Sequence, residues 1–123
     1  MNLFLRGTFV FNSGVEGDWK IECDALTEED WQTLAMLISR RVGSFSDVEG
    51  VPRGGLKLAR YLTAYMTPHV GPLLIVDDVC TTGGSLERQR AGRLHGENGI
   101  LGFVVFNRGT LPIWCSALFT LGN

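Results

Sequence analysis

The sequence predicts an α/β protein, a parallel sheet flanked by helices, and three observations predict it. Two stretches, "LLIV" at 73–76 and "ILGFVVF" at 100–106, are near-continuously apolar, as strands buried on both faces are. Segments with apolar residues at helical spacing separate the strand-like segments, the alternation that builds crossovers. The first of these strands runs into "DDVCTTGGS", which puts carboxylates, hydroxyls and glycines where open α/β sheets bind ligands. A chain of 123 residues is long enough for one real core and too short for two, so a single domain spanning 1–123 is expected.

Taken in order, "LFLRGTFVF" at 3–11 alternates as a strand, and "NSGVEGD" at 12–18 has loop chemistry. "WKIEC" at 19–23 reads as a second short strand and hairpin partner. "TEEDWQTLAMLISRRV" at 27–42 reads as a helix. Thr27 can cap it, Glu28, Glu29 and Asp30 fill its first turn, and Arg40 and Arg41 its last, as the macrodipole prefers. Trp31, Leu34, Leu37 and Ile38 give it an apolar face. "SFSDVEGV" is a short strand ending in the turn "GVPRGG", and "LKLARYLTAYM" at 56–66 is helical. "TPHVGP" breaks the pattern before "LLIV", and "GGSLERQRAGRLHG" at 83–96 is a helix before "ILGFVVF". "NRGTLP" then turns the chain into a last strand, "WCSALFTL". The leading hairpin, 1–25, does not fit the alternation and is expected as a layer appended to the α/β core, 26–123.

Hydrophobic content of 45% and charged content of 20% are those of an ordinary globular protein. A formal net charge of -2 provides no global attraction for nucleic acid or an anionic membrane, so any phosphate-bearing partner must be held locally. No apolar stretch is long enough to span a membrane, and "MNLFLRGTF" lacks the apolar region of a signal peptide. Cys23, Cys80 and Cys115 are odd in number without C-x-x-C spacing, which indicates neither a disulfide framework nor a zinc site. The expectation is a cytoplasmic protein with free thiols.

Adjacent carboxylates repel, and closing an apolar strand with Asp77 and Asp78 adds nothing to the fold. A ligand accounts for them better. The backbone amides of Thr81, Thr82, Gly83, Gly84 and Ser85, their hydroxyls and the start of a helix together form a phosphate cradle. Phosphate at the loop and polyol hydroxyls at the carboxylates describe a sugar phosphate; the alternative is a strand-to-helix turn with an incidental acidic pair. Two other motifs fail by count. A Walker-type loop needs a lysine, and none follows Lys57. A response-regulator receiver needs a further aspartate and a lysine downstream, and no aspartate follows Asp78.

An apolar strand, an acidic pair, an apolar residue and "TTGGS" resembles the 5-phosphoribosyl-1-pyrophosphate (PRPP) motif of type I phosphoribosyltransferases. "VEGVPRGG" at 48–55 is similar to that family's pyrophosphate loop, where exposed amides grip pyrophosphate and Arg53 adds charge. The ends resemble the orotate phosphoribosyltransferase branch. "FNSGVEGDWKIECDAL" looks like its N-terminal hood, and "VVFNRG" like the strand end that presents an arginine, here Arg108, to the orotate carboxylate. The resemblance implies transfer of ribose 5-phosphate from PRPP to a base, orotate, in pyrimidine nucleotide metabolism. Asp77 and Asp78 would be catalytic and residues 81–85 would hold the 5-phosphate. Val51, Pro52, Arg53, Gly54 and Gly55 would hold pyrophosphate, and Ser13, Gly14, Lys20 and Arg108 the base. Mg2+ would be bound through the substrate, without direct protein ligands, and a homodimer is expected; a membrane or nucleic-acid partner is not.

Three departures stand against that pattern. The family's lysine before Ser-Gly is Asn12 here, so Asn12–Gly14 also reads as a plain hairpin turn. Arg108 also reads as a solvated loop arginine. Between the pyrophosphate loop and the PRPP strand the family inserts a strand and a long mobile loop, and here only "TPHVGP" remains, with His69. A direct connection is therefore expected. It leaves two rivals in view, a PRPP- or nucleotide-binding sensor with weak turnover and an RNA-binding regulator on the same fold. Trp31, Trp19 and Trp114 read as core, Cys80 as small apolar filler, and His95 as a residue at a helix C-terminus. The arginines of "RQRAGR" read as a solvated helix face.

Overall fold

The computed structural model describes residues 4–10, 16–93 and 99–121, with side chains over 22–93 and 99–121. Ser13, Gly14, Asn12 and His95 lie outside the described residues, as do the side chains of Trp19 and Lys20. The chain opens with β1 (Phe4–Val10) and β2 (Glu16–Ile21), an antiparallel pair with a register shift between Arg6 and Phe9. β2 starts inside the segment expected as loop, and Cys23, expected in a strand, lies in a 3₁₀ turn, Cys23–Ala25. α1 (Glu28–Val42) follows. Thr27 and Asp30 cap it reciprocally: Thr27 Oγ1 accepts from Asp30 N at 3.1 Å, and Asp30 Oδ2 accepts from Thr27 N at 2.8 Å.

Four strands then build one parallel sheet in the order β3-β4-β5-β6: β3 (Asp47–Gly50), β4 (Leu73–Cys80), β5 (Ile100–Asn107) and β6 (Cys115–Thr120). α2 (Gly54–Leu62) crosses from β3 to β4 and α3 (Gly84–Ala91) from β4 to β5. The sheet is the expected one, with one difference at its centre. β4 does not stop at Val76; Asp77, Val79 and Cys80 pair with Val104, Phe106 and Asn107. β3 ends opposite Val76, so the acidic pair sits within a strand but beyond its shorter neighbour. "NRGTLP" is also more than a turn. β6 pairs parallel to β5 from Gly102 onward, so residues 108–114 run back along the sheet without a helix.

Each face carries its own core. α1 and α2 pack Trp31, Leu34, Ile38, Leu58 and Leu62 on Leu74, Val76, Phe103 and Val105. Val51 and Leu86 pack on Ile75, Ile100, Val104 and Cys115 on the other side. Trp31 is core, as expected. No strand intervenes between β3 and β4: after α2 comes one 3₁₀ turn, Thr63–Tyr65, and residues 66–72 lead straight to Leu73. Backbone bonds pin this connection to the segment before β3, Thr67 N to Phe45 O at 2.9 Å and Ser46 N to Pro72 O at 2.9 Å. Gly71, at φ 91, has no room for a side chain against the Ser44 carbonyl. No helix among the described residues is long and apolar enough to cross a membrane.

Candidate functional site

Consecutive side chains of β4 open the site. Asp77 is only 8% exposed. Its Oδ1 accepts the amide of Asp78 at 2.8 Å, and Asp78 Oδ1 accepts the amide of Val79 at 2.7 Å. Burial first, then the hydrogen bond and repulsion of the neighbouring Asp78 carboxylate, push the Asp77 carboxyl up to about 8. The loop between β3 and α2 arrives on top of this pair. Val51 N donates to Val76 O at 2.8 Å and Gly55 N to Val51 O at 2.8 Å, while the Pro52–Arg53 peptide bond is cis. A Cβ on Gly54 would collide with the Asp78 carboxylate, and one on Gly55 with the Val76 carbonyl. Glycine at both positions is what lets the loop lie against the strand. Pro52 and Arg53 remain exposed.

On the other side of the pair the chain turns into α3. Gly83 caps the helix at φ 82, and a Cβ there would meet the Pro112 ring at 2.9 Å. Thr82 Oγ1 accepts the Gly84 amide at 3.3 Å. The end of β5 is laced to this turn. Arg108 N donates to Cys80 O at 3.0 Å and Thr110 N to Thr81 O at 2.8 Å, and Asn107 Oδ1 accepts the Gly109 amide at 3.1 Å. Arg108 is buried at 9% exposure, which removes the reading as a solvated arginine. Cys80 is buried with its Sγ 3.4 Å from Thr110 O, a filler as expected. The carboxyl edge of the sheet thus gathers Asp77, Asp78, residues 51–55, residues 81–85 and Arg108.

Two neighbours of the site carry no signal in the sequence. The Cys23 thiol lies beside Asp78; burial, then that carboxylate, push it well above the usual thiol range. Arg88 folds back along α3, its Nη2 donating to Ser85 Oγ at 3.2 Å. Trp114, expected as core, is half-buried: its Nε1 donates to Glu87 Oε1 at 2.8 Å, and the Arg90 guanidinium lies 5.3 Å from its ring centre. His69 is exposed, a connection residue at φ 67. Among the described residues no three His, Cys, Asp or Glu side chains group to hold a metal ion.

No protein-family model matches the chain, and no curated protein is recognisably similar to it. Solved structures are. Orotate phosphoribosyltransferase from Aeropyrum pernix superposes with a TM-score of 0.75 at 24% identity, covering 96% of this chain and 88% of that one. The fold is that of the type I phosphoribosyltransferases. Leishmania donovani UMP synthase matches at a TM-score of 0.71 and 15% identity, over 97% of this chain but 34% of that one, so this chain spans about a third of its length. Helicobacter pylori xanthine-guanine-hypoxanthine phosphoribosyltransferase matches at 0.54 and 14% identity, over 75% of this chain and 90% of that one. Proteins named for different bases share this fold, so the fold alone assigns none of those activities to this chain.

Proposed function

We propose that the protein is a PRPP-dependent phosphoribosyltransferase that transfers ribose 5-phosphate to a nitrogen of a base, orotate, and releases pyrophosphate. One observation carries the reading: Gly54 of the glycine loop rests directly against the Asp78 carboxylate, with the 81–85 cradle at the end of the same strand. PRPP has its pyrophosphate and ring hydroxyls on adjacent carbons and its 5-phosphate at the far end of the sugar, and these three subsites match that spacing in kind. Residues 51–55 take the pyrophosphate, and the exposed Arg53 supplies charge. Asp77 and Asp78 bind the ring hydroxyls and stabilise the positive charge that develops on the ribose as the C1–O bond breaks. Thr81, Thr82, Gly83, Gly84 and Ser85 fix the 5-phosphate and so orient the sugar for attack.

The donor set fits Mg2+ held mainly by substrate oxygens, since that ion keeps its waters and needs one or two carboxylates at most. When bound it neutralises charge on the leaving pyrophosphate. Arg108, with Ser13, Gly14 and Lys20 of the hairpin, would recognise the base; a buried arginine at a strand end suits a planar carboxylate such as that of orotate. A homodimer and a single domain with the hairpin as hood belong to the same proposal. Calorimetric titration with PRPP and Mg2+, followed by a pyrophosphate-release screen over orotate and the common purines and pyrimidines, tests it. Absence of PRPP binding sinks it. The short connection from α2 to β4 favours a second reading, a PRPP- or nucleotide-binding module without turnover, which the same titration supports if binding occurs and no base releases pyrophosphate.

A further inference from the structure

Three elements close on the half-buried carboxylate of Asp78. From its own strand, the amide of Val79 donates to Oδ1 at 2.7 Å. From the loop between β3 and α2, Gly54 lies flat against it, so close that a Cβ there would overlap both carboxylate oxygens. The third side is Cys23, the first residue of the 3₁₀ turn that follows β2. Cys23 is half-buried and packs, like Leu26 and Val79, against the core shared by α1 and α2. Its thiol is in hydrogen-bonding contact with the Asp78 carboxylate. Filling that volume does not require a thiol, since an aliphatic side chain would pack there as well and leave the carboxylate without a donor on that side. Burial first, then the charge and hydrogen bond of Asp78, hold the thiol well above its usual range, so it stays an S–H donor and not a thiolate. An S–H is a weak donor. It can fix the direction of a carboxylate and leave its negative charge in place.

We infer that Cys23 is a positioning residue, whose S–H holds the Asp78 carboxylate against Gly54 in the one orientation that faces the ribose; the inference rests on the phosphoribosyl reading above. A carboxylate fixed before the substrate arrives needs no reorganisation as positive charge develops on the sugar. The contact also ties the exit of the leading hairpin to the reaction centre, because Cys23 stands two residues after Ile21, the last of β2.

Two variants separate aiming from filling. Cys23→Val keeps apolar volume and removes the donor, whereas Cys23→Ser keeps a donor and gives up apolar packing. The assay is pyrophosphate release from PRPP and Mg2+ with orotate, or with the base that the screen above selects, beside thermal melts of the same samples. Cys23→Val should lower kcat and kcat/KM together by about tenfold, the weight of one hydrogen bond to a charged group that counts in the transition state. Cys23→Ser should stay within about threefold of wild type, since a hydroxyl replaces the lost donor. It should nevertheless melt below Cys23→Val, so the order in turnover is the reverse of the order in stability. A cysteine that only fills the core would give the opposite, with Cys23→Val at the wild-type rate and Cys23→Ser slowed in step with its stability. Wild-type kcat in Cys23→Val, or equal loss in both variants, overturns the inference and leaves the function standing. If wild type binds PRPP but releases pyrophosphate with no base, the inference falls and the binding module remains. If wild type does not bind PRPP, both fall.

Discussion

The two crossovers that flank β4 differ in what holds their helices. α2 completely buries Leu58 and Leu62 in the larger core with α1, and its entry is clamped: Gly50, Gly54 and Gly55 all lack room for a Cβ against backbone or the Asp78 carboxylate. α3 buries only Leu86 among its residues, and at its entry Gly84 meets nothing stiffer than the Arg88 side chain and the Thr82 hydroxyl. The first crossover enters against a wall; the second is packed on Pro112 at Gly83 and meets adaptable side chains only from Gly84 onward. A departing pyrophosphate needs fixed amides that do not yield as charge builds. A phosphate that stays bound throughout needs affinity more than rigidity, and adaptable side chains supply that.

The largest expected effect lies where the crossovers meet. Replacing Asp77 and Asp78 by asparagine should lower PRPP affinity about a hundredfold or more, about 2.7 kcal/mol or above, while the fold persists. Calorimetry and circular dichroism on the same sample check both halves, and unchanged affinity would remove the carboxylates from the site.

Glycine substitutions separate the wall from the cradle. Gly54→Ala drives a methyl into the Asp78 carboxylate and should abolish PRPP binding while lowering the unfolding temperature. Gly84→Ala has only a flexible guanidinium to push aside, and replacing a helical glycine by alanine gains up to about 1 kcal/mol of helix propensity. Its unfolding temperature should hold or rise, with a modest loss of phosphate affinity. Equal damage from both would erase the distinction between the crossovers.

The Asp77 carboxyl gives the comparison a pH axis. Its folded-state value is raised to about 8, chiefly by burial, so between the ordinary aspartate range and 8 the folded protein binds more protons than the unfolded chain. Stability contributed by the neutral form is then present at low pH and lost as pH rises toward 8. Asp77→Asn should therefore stabilise the protein at pH 8 and change it little at pH 4, as read from paired thermal melts. A benefit equal at both pH values would mean that Asp77 ionises freely in the fold.

What the sequence made legible follows the same division. β4 and β5 are apolar runs, α1 carries its caps, and "DDVCTTGGS" holds residue types that an apolar core does not ask for. These signals are local. The continuation of β4 through Cys80 was hidden because its pairing is supplied by β5, 27 residues further along the chain, and two aspartates look like a strand end. The Cys23 thiol beside Asp78 and the fold-back of Arg88 were hidden for a similar reason. Cys23 reaches the site through tertiary packing, and Arg88 looks identical in sequence to a solvated helix arginine until its rotamer is known. Arg108 was readable in type but not in burial, which the lacing of residues 107–110 onto Cys80 and Thr81 decides.

The smallest signal expected is turnover without an acceptor. Positive charge on the ribose ring attracts any nucleophile, and water is present unless a segment closes over it. The connection from α2 to β4 cannot be that segment. Residues 66–72 precede Leu73, at the amino end of β4, and are tied there to Phe45 and Ser46, on the opposite edge of the sheet from Asp77 and Asp78. With PRPP and Mg2+ but no base, water should therefore take the place of the acceptor. The C1–O bond breaks with its electron pair leaving on pyrophosphate, water oxygen bonds C1, and its proton passes to solvent. Phosphorus NMR should show ribose 5-phosphate and pyrophosphate appearing in equal amounts, slowly beside base-dependent release, and not at all in the Asp77→Asn, Asp78→Asn double variant. Brisk base-dependent turnover with no trace of hydrolysis would mean that another part of the chain, or of a second copy, closes the site, and the contrast between a rigid wall and an open cradle would then hold only for the unliganded protein.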